Sequence, residues 1–85
     1  MPETELGVIT HFFDRIGVGA IKVTQGTLNV GNTVHIKGAH TDVTVTINSM
    51  QVEHNAVTSA KAGDEVGVKF DQKLRVNDKV FLVTP

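Results

Sequence analysis

The sequence predicts an all-β domain, in the form of a small closed antiparallel β-barrel of six strands. Val, Ile and Thr number 14, 5 and 10, so β-branched side chains, which fit a pleated and half-buried surface, are abundant. Apolar and polar residues alternate along six segments, and no segment has the 3.6-residue period of a helix. Closure into a barrel is expected because it removes exposed strand edges.

The six predicted strands are short and are separated by turn residues. They cover Glu5–Phe13, Val18–Val23, Thr33–Lys37, Val43–Val52, Glu65–Phe70 and Lys79–Thr84. In the fourth strand the apolar face changes parity after Ile47, which predicts a β-bulge near Asn48 and Ser49. A long bulged strand can bend from one side of a small barrel to the other.

A strand-entry turn occurs three times, at Gly31–Val34, Gly63–Val66 and Asn77–Val80. Each copy has a Gly or Asn that tolerates positive φ, then an Asn or Asp whose side chain can bond nearby backbone, and two positions later an inward Val. The simplest interpretation is that a small barrel needs several such turns. Asp64 and Asp78 are therefore better explained as turn residues than as proton-transfer groups.

Length and charge limit the classes of protein to which the chain can belong. Its 85 residues predict a single domain over 1–85, and 8 Lys and Arg against 9 Asp and Glu leave no bulk attraction to nucleic acid. The absence of Cys excludes disulfides, thiolate nucleophiles and zinc ribbons. Because there is neither a signal-peptide pattern nor a membrane-length apolar run, we expect a cytoplasmic protein with no membrane partner.

Five short motifs follow one another along the chain: Gly7–Ile9, Ile16–Gly19, Gly26–Asn32, Val34–Gly38 and Ala62–Val68. From about Leu6 to Val83 the chain resembles domain 2 of the translational GTPases of the elongation factor Tu and elongation factor 1-alpha type. The resemblance implies a β-barrel. In that family domain 2 helps hold the aminoacylated end of tRNA and docks on the small ribosomal subunit, and the same barrel is an accessory domain in some U32 peptidases.

The chain also departs from this family pattern. It has no G-x-x-x-x-G-K phosphate loop, so GTP hydrolysis is excluded. The family's Gly-Arg-Gly hairpin keeps its Arg as Arg15 but lacks the first Gly, and Thr58–Ala60 stands where the elongation factor has an acidic residue near the terminal nucleotide. These departures argue against binding of aminoacyl-tRNA in the elongation-factor manner.

Basic residues around the segment from Asp71 to Asp78 form the candidate contact for nucleic acid or another partner. A further cation from the first hairpin belongs to the same set, which comprises Arg15, Lys69, Lys73, Arg75 and Lys79. Interleaved Asp residues weaken the local field, so ordinary solvated charge is the alternative interpretation.

Phe12 and Phe13 are adjacent on a predicted strand, so their rings must face opposite sides of the sheet. We expect the outward ring to pack beneath Asn55–Ala60. The alternative is an exposed apolar patch that contacts a partner protein.

Neither catalytic residues nor a metal or cofactor site is predicted. Ser and Asp candidates match no catalytic motif, which indicates a non-enzyme. Four histidines lack the spacing of metal ligands and are expected to be solvated, namely His11, His35, His40 and His54.

Two functional hypotheses follow from the sequence. The first is a non-catalytic binding module for RNA, the ribosome or a translation-associated protein. The second is a protein–protein adaptor or homo-oligomeric barrel with no nucleic-acid role. The oligomeric state is left open. A small-ligand barrel is the less favoured third hypothesis, because a six-stranded barrel of this length is expected to be filled by its own side chains.

Overall fold

The computed structural model of the chain describes residues 3–53 and 55–84, and these residues contain ten β-strands and no helix. The strands are β1 (Glu3–Phe13), β2 (Val18–Val23), β3 (Thr27–Asn29), β4 (Thr33–Lys37), β5 (Asp42–Thr46), β6 (Met50–Val52), β7 (Asn55–Val57), β8 (Ser59–Lys61), β9 (Glu65–Lys69) and β10 (Lys79–Val83). No helix of a length and apolarity that could cross a membrane occurs among the described residues.

Eight strands form one antiparallel sheet in the order β5-β4-β10-β1-β2-β9-β6-β7, and β3 pairs with β8 in a second sheet. The all-β prediction is confirmed. The prediction of a closed six-stranded barrel is wrong, because β5 and β7 end the large sheet and do not pair with each other. Three strands, β3, β7 and β8, were missed because three residues are too few to display an alternating pattern.

The open sheet nevertheless curves strongly. β5 and β6 are six positions apart in the strand order, which in a flat sheet would separate them by about 29 Å. Only Ile47–Ser49 connect them, and a link from Thr46 to Met50 spans at most about 14 Å. The sheet must therefore bend until its two ends come close together.

One hydrophobic core fills the concave side of this sheet. Buried side chains come from strands near both ends, including Val34 on β4 and Met50 on β6. Leu28 and Ala60, on the paired strands β3 and β8, are also buried in this core. The two-stranded sheet thus covers part of the core that the large sheet leaves open, because β5 and β7 are not hydrogen-bonded to each other.

The segment predicted as one long bulged strand is divided into β5 and β6. Residues 47–49 belong to neither strand, so the ladder is interrupted rather than bulged at Asn48 and Ser49. The bend from one side of the sheet to the other is present at the predicted place. The register irregularities that the structure does contain lie in β1, between Glu5 and Gly7 and between Ile9 and His11.

The predicted strand-entry turn is confirmed in all three copies. Gly31, Gly63 and Asn77 have φ of 97°, 98° and 77°. The side-chain oxygen of the next residue accepts a hydrogen bond from the backbone N–H three positions earlier, at 2.8 Å for Asn32, 3.0 Å for Asp64 and 2.9 Å for Asp78. The Val two positions later is buried each time, as Val34, Val66 and Val80.

Each turn is also joined to a buried residue of a neighbouring segment by two backbone hydrogen bonds. The left-handed residue donates to that neighbour's carbonyl, and the neighbour donates to the carbonyl of the Asn or Asp. The neighbours of the three turns, in order, are Ile47, Val23 and Ile9. The same bonding therefore fixes the entry to β4, β9 and β10.

Gly7 on β1 leaves no space for a side chain, because a Cβ atom would overlap the carbonyl oxygen of Lys22 on β2. A Cβ atom at Gly67 would lie 3.4 Å from Val18 Cγ1, an ordinary contact. We expect Gly7→Ala to lower the free energy of unfolding by about 1–3 kcal/mol, and Gly67→Ala to change it by less than about 0.5 kcal/mol. Urea unfolding measures both, and similar losses in the two variants would contradict this account of β1.

Candidate binding site

The turn between β1 and β2 is fixed against the segment that follows β9. Within the turn, the Gly17 N–H donates to the Phe13 carbonyl at 2.9 Å, and the Phe70 N–H donates to the Gly17 carbonyl at 2.7 Å. The Phe70 ring packs on Gly19, where a Cβ atom would lie 2.9 Å from it. Gly19 thus makes room for a buried aromatic that anchors the segment carrying residues 71–73.

An open polar cleft of about 400 Å³ lies beside this anchor. Hydroxyl, amide and charged groups line it, together with Phe70 and Val45: Thr44, Thr46, Asn48, Ser49, Lys69, Asp71 and Gln72. A smaller groove shares Phe70, Asp71 and Gln72 with the cleft and continues to Asp14 and Lys73. We call this continuous surface, formed by residues 12–18, 44–49 and 69–73, the hairpin end.

Three of the five predicted cations lie at the hairpin end. Lys69 lines the polar cleft, Lys73 lines the smaller groove, and Arg15 lies in the β1–β2 turn. Lys73 Nζ lies 4.0 Å from Asp14 Oδ2, and both side chains are exposed, so this pair holds Lys73 only weakly. Within the described residues, Arg15 and Lys69 form no ion pair closer than 4.0 Å.

The other two predicted cations line neither the polar cleft nor the smaller groove. Lys79 is opposite Val8 on β1 and opposite Lys37 on β4, five residues along β1 from Phe13, which is roughly 16 Å of strand. Its Nζ atom is 3.7 Å from Glu5 Oε2. Arg75 belongs to the third strand-entry turn, where its backbone N–H bonds to Asp78. The sequence around Asp71–Asp78 could not reveal which cations lie together, because their positions depend on the order of the strands in the sheet.

The two adjacent Phe side chains face opposite sides, as predicted. Phe12 is half-buried and packs against the core, whereas Phe13 is 51% exposed and stacks on His11 with ring centroids 6.2 Å apart. The prediction that the outward ring packs beneath Asn55–Ala60 is wrong. The groove beside Phe13 instead borders β2, β9 and the end of β6, and no lining residue comes from that segment.

Ile16, which begins the Ile16–Gly19 motif, was not predicted as a contact residue. It is 62% exposed at the tip of the β1–β2 turn and shares a groove with Phe13. A large apolar residue in a four-residue turn was a signal that could have been noticed, since turn positions favour polar residues and Gly. Together, Phe13 and Ile16 give the hairpin tip an exposed apolar surface.

His35 is hydrogen-bonded on both sides rather than freely solvated. Its Nδ1 lies 2.9 Å from a Glu3 carboxylate oxygen and its Nε2 lies 2.5 Å from Asp42 Oδ1. The hydrogen bond to Asp42 is the main cause, and the bond to Glu3 the second cause, that raises the pKa of His35 above 6.5. The same bond to His35 lowers the pKa of Asp42 below 3.8. The imidazolium form satisfies both carboxylates, because both ring nitrogens then donate.

Of the remaining three histidines, His11 and His40 are exposed, and His54 lies outside the described residues. In the part of the chain that the structure describes, no set of three or more His, Asp or Glu side chains is arranged to hold a metal ion. Asp64 and Asp78 are occupied as turn acceptors, in line with the sequence interpretation.

Comparison with protein families and curated proteins identifies relatives of this domain. A family model described as elongation factor Tu domain 2 matches residues 17–71. The chain is 35% identical over 80 residues to an uncharacterized protease of Methanocaldococcus jannaschii, covering 93% of this chain and 19% of that protein. It is 35% identical over 72 residues to the selenocysteine-specific elongation factor of Mus musculus, covering 78% of this chain and 12% of that protein.

Among solved structures, the C-terminal domain of a Geobacillus thermoleovorans protein described as a U32 peptidase aligns with a TM-score of 0.87. The alignment covers 95% of this chain and 93% of that chain at 15% identity, so it shows a shared fold alone. The family match confirms the resemblance drawn from the sequence motifs. The chain spans a fifth or less of the two curated relatives, so the similarity concerns one small domain of each.

The Glu3–His35–Asp42 cluster predicts a pH-dependent stability. The His35 contribution is present below pH 6.5 and is lost as pH rises through the raised pKa, and the Asp42 contribution is present above pH 3.8 and is lost as pH falls through the lowered pKa. Wild type should therefore exceed His35→Gln in free energy of unfolding most clearly near about pH 5, and the gap should shrink by about pH 9. Urea titrations at both pH values measure the gap. A gap that widens toward high pH would contradict the assignment.

Proposed function

Since the chain belongs to the elongation factor Tu domain 2 family, we propose that it is a non-catalytic binding module that contacts single-stranded RNA at the hairpin end. The observation that supports this most directly is the position of Lys69 and Lys73 on the adjoining cleft and groove, which share Phe70, Asp71 and Gln72, with Arg15 in the neighbouring β1–β2 turn. RNA of the translation apparatus is the partner that the family suggests, with the ribosome as its largest source. A cytoplasmic location is part of this proposal.

The chemistry of the hairpin end suits an unpaired strand of RNA. Cations attract the phosphates, and the hydroxyl and amide groups of Thr44, Ser49 and Gln72 offer hydrogen bonds to ribose and base edges. Phe13 is an exposed aromatic ring at the edge of this surface, on which a base can stack. Because the chain as a whole carries a charge of −1, attraction must come from this local set.

The contacts made by three carboxylates support a non-catalytic role. Asp64 and Asp78 accept backbone hydrogen bonds in turns, and Asp14 lies beside Lys73, which leaves none of the three paired with a nucleophile. The proposal includes no cofactor. Its chemistry is recognition alone.

A second candidate function is a protein–protein adaptor or homo-oligomer with no nucleic-acid role. Phe13 and Ile16, 51% and 62% exposed at the hairpin tip, favour it, because neighbouring exposed apolar side chains often mark a protein contact. Self-association through this tip would tolerate salt. Phe13→Ser with Ile16→Ser would then convert the oligomer to a monomer in sedimentation equilibrium.

We expect RNA affinity to depend on the cations of the hairpin end. Fluorescence anisotropy with a labelled single-stranded oligouridylate should give a slope of log affinity against log salt of about −2, as expected for three phosphate contacts, and Lys69→Ala with Lys73→Ala should reduce it to about −0.7. The matched control, Arg75→Ala with Lys79→Ala, removes the same charge from two residues that line neither the polar cleft nor the smaller groove. The same variants can be compared for co-sedimentation with ribosomes.

Two outcomes would overturn the RNA proposal. One is the absence of salt-sensitive binding by wild type. The other is an equal loss of RNA affinity in the two double variants, because the loss would then follow from the change in net charge alone. If the wild-type protein does not bind RNA but forms a dimer, and the Phe13→Ser and Ile16→Ser substitutions dissociate that dimer, the second candidate function is the better account.

A further inference from the structure

A trough crosses the outer face of the sheet beside the β1–β2 turn, and Lys69, which also lines the polar cleft, is opposite Val18 of the trough in register. Strand register places His11, Ala20, Gly67 and Gln51 directly opposite one another on β1, β2, β9 and β6. Their neighbours Ile9, Ile21 and Val66 are buried, so this row faces outward. Ala20 and Gly67 are small, which makes the centre of the row a low floor.

The two walls of the trough differ in chemistry. Phe13, Ile16 and Val18 form an apolar wall, and Glu53 and Glu65 line the opposite side; the open volume is about 580 Å³. The Thr10 hydroxyl donates to Glu65 Oε2 at 2.5 Å and so orients that carboxylate. Lys22 is opposite Glu65 in register, but no ion pair within 4.0 Å joins them in the described residues.

Glu53 holds an uncommon backbone conformation at this wall. Its φ is 51°, in the left-handed region where Gly or Asn would be less strained than Glu. It follows β6 directly and precedes the edge strand β7. An acidic residue at a position better suited to Gly is an outlier from which a functional role is a reasonable hypothesis.

We propose that this trough binds an extended peptide of a partner protein, with a large apolar side chain against Phe13 and Val18 and an adjacent Lys or Arg directed to Glu53 and Glu65. The apolar wall and small floor accept a side chain of Leu or Phe size. The carboxylates complement a cation and repel phosphate, so RNA is the less suitable occupant of this side. The inference shares Phe13 with the RNA proposal, but it depends on Glu53, Glu65 and Gly67, which lie outside the hairpin end.

Selection of a phage-displayed library of random peptides on the intact chain tests this inference. We expect the bound clones to be enriched in an apolar residue next to Lys or Arg. Synthetic peptides from those clones then serve as probes in anisotropy titrations. Glu53→Gln with Glu65→Gln should weaken them by about tenfold and remove the preference for the basic residue.

Gly67→Val is the sharpest variant, because it fills the floor of the trough. A Cβ atom has room there, and β-branched residues suit an outward strand position, so the fold is expected to persist. Peptide affinity should fall by at least about tenfold, while RNA affinity at the hairpin end stays unchanged. Thr33→Val, on the outer face of β4, is the matched control and should bind peptide as wild type does.

The inference is overturned if no peptide is enriched, if the enriched peptides lack the apolar–basic pair, or if they bind Gly67→Val and wild type equally. It is also overturned if Gly67→Val abolishes RNA binding and peptides do not bind, since the trough would then hold a nucleotide. Loss of RNA binding in the Lys69 and Lys73 variant with peptide binding retained would leave this inference standing.

Discussion

The fold depends on one hydrogen bond that the chain makes three times, from a backbone N–H to the side-chain oxygen of an Asn or Asp three residues later. Asn32, Asp64 and Asp78 accept it, and each turn is joined by two backbone bonds to a buried residue of another segment. The strands that these turns begin are β4, β9 and β10. Since β9 and β10 flank the β1–β2 hairpin, the turns fix the strands on either side of it.

The candidate binding surfaces follow from that constraint. The β1–β2 turn is held by the bond from Phe70 to Gly17 and by the packing of the Phe70 ring on Gly19, so the hairpin tip has a fixed position between two concave surfaces. One surface is polar and carries Lys69 and Lys73, and the other is apolar with Glu53 and Glu65 at its margin. A domain of 85 residues can thus offer two chemically different contacts on its surface.

Local chemistry made the turns, the main strands and the opposite directions of Phe12 and Phe13 predictable from sequence, because each depends on a few neighbouring residues. The open sheet was not predictable in the same way, since it depends on whether β5 and β7 meet across the curved sheet. The bonds of His35 to Glu3 and Asp42 join residues of three strands, so only the register reveals them. The trough was hidden because Ala20, Gly67 and Gln51 lie far apart in the chain and share a row only after pairing.

The most direct test of the binding account is to map backbone amide chemical shifts of the intact chain during titration with single-stranded oligouridylate. The account predicts perturbations confined to the hairpin end, at residues 12–18, 44–49 and 69–73, with the outer faces of β4 and β10 unchanged. Perturbations centred on Lys37 and Lys79, or no perturbation at RNA concentrations that saturate weak sites, would contradict the claim that this end of the domain is its binding surface.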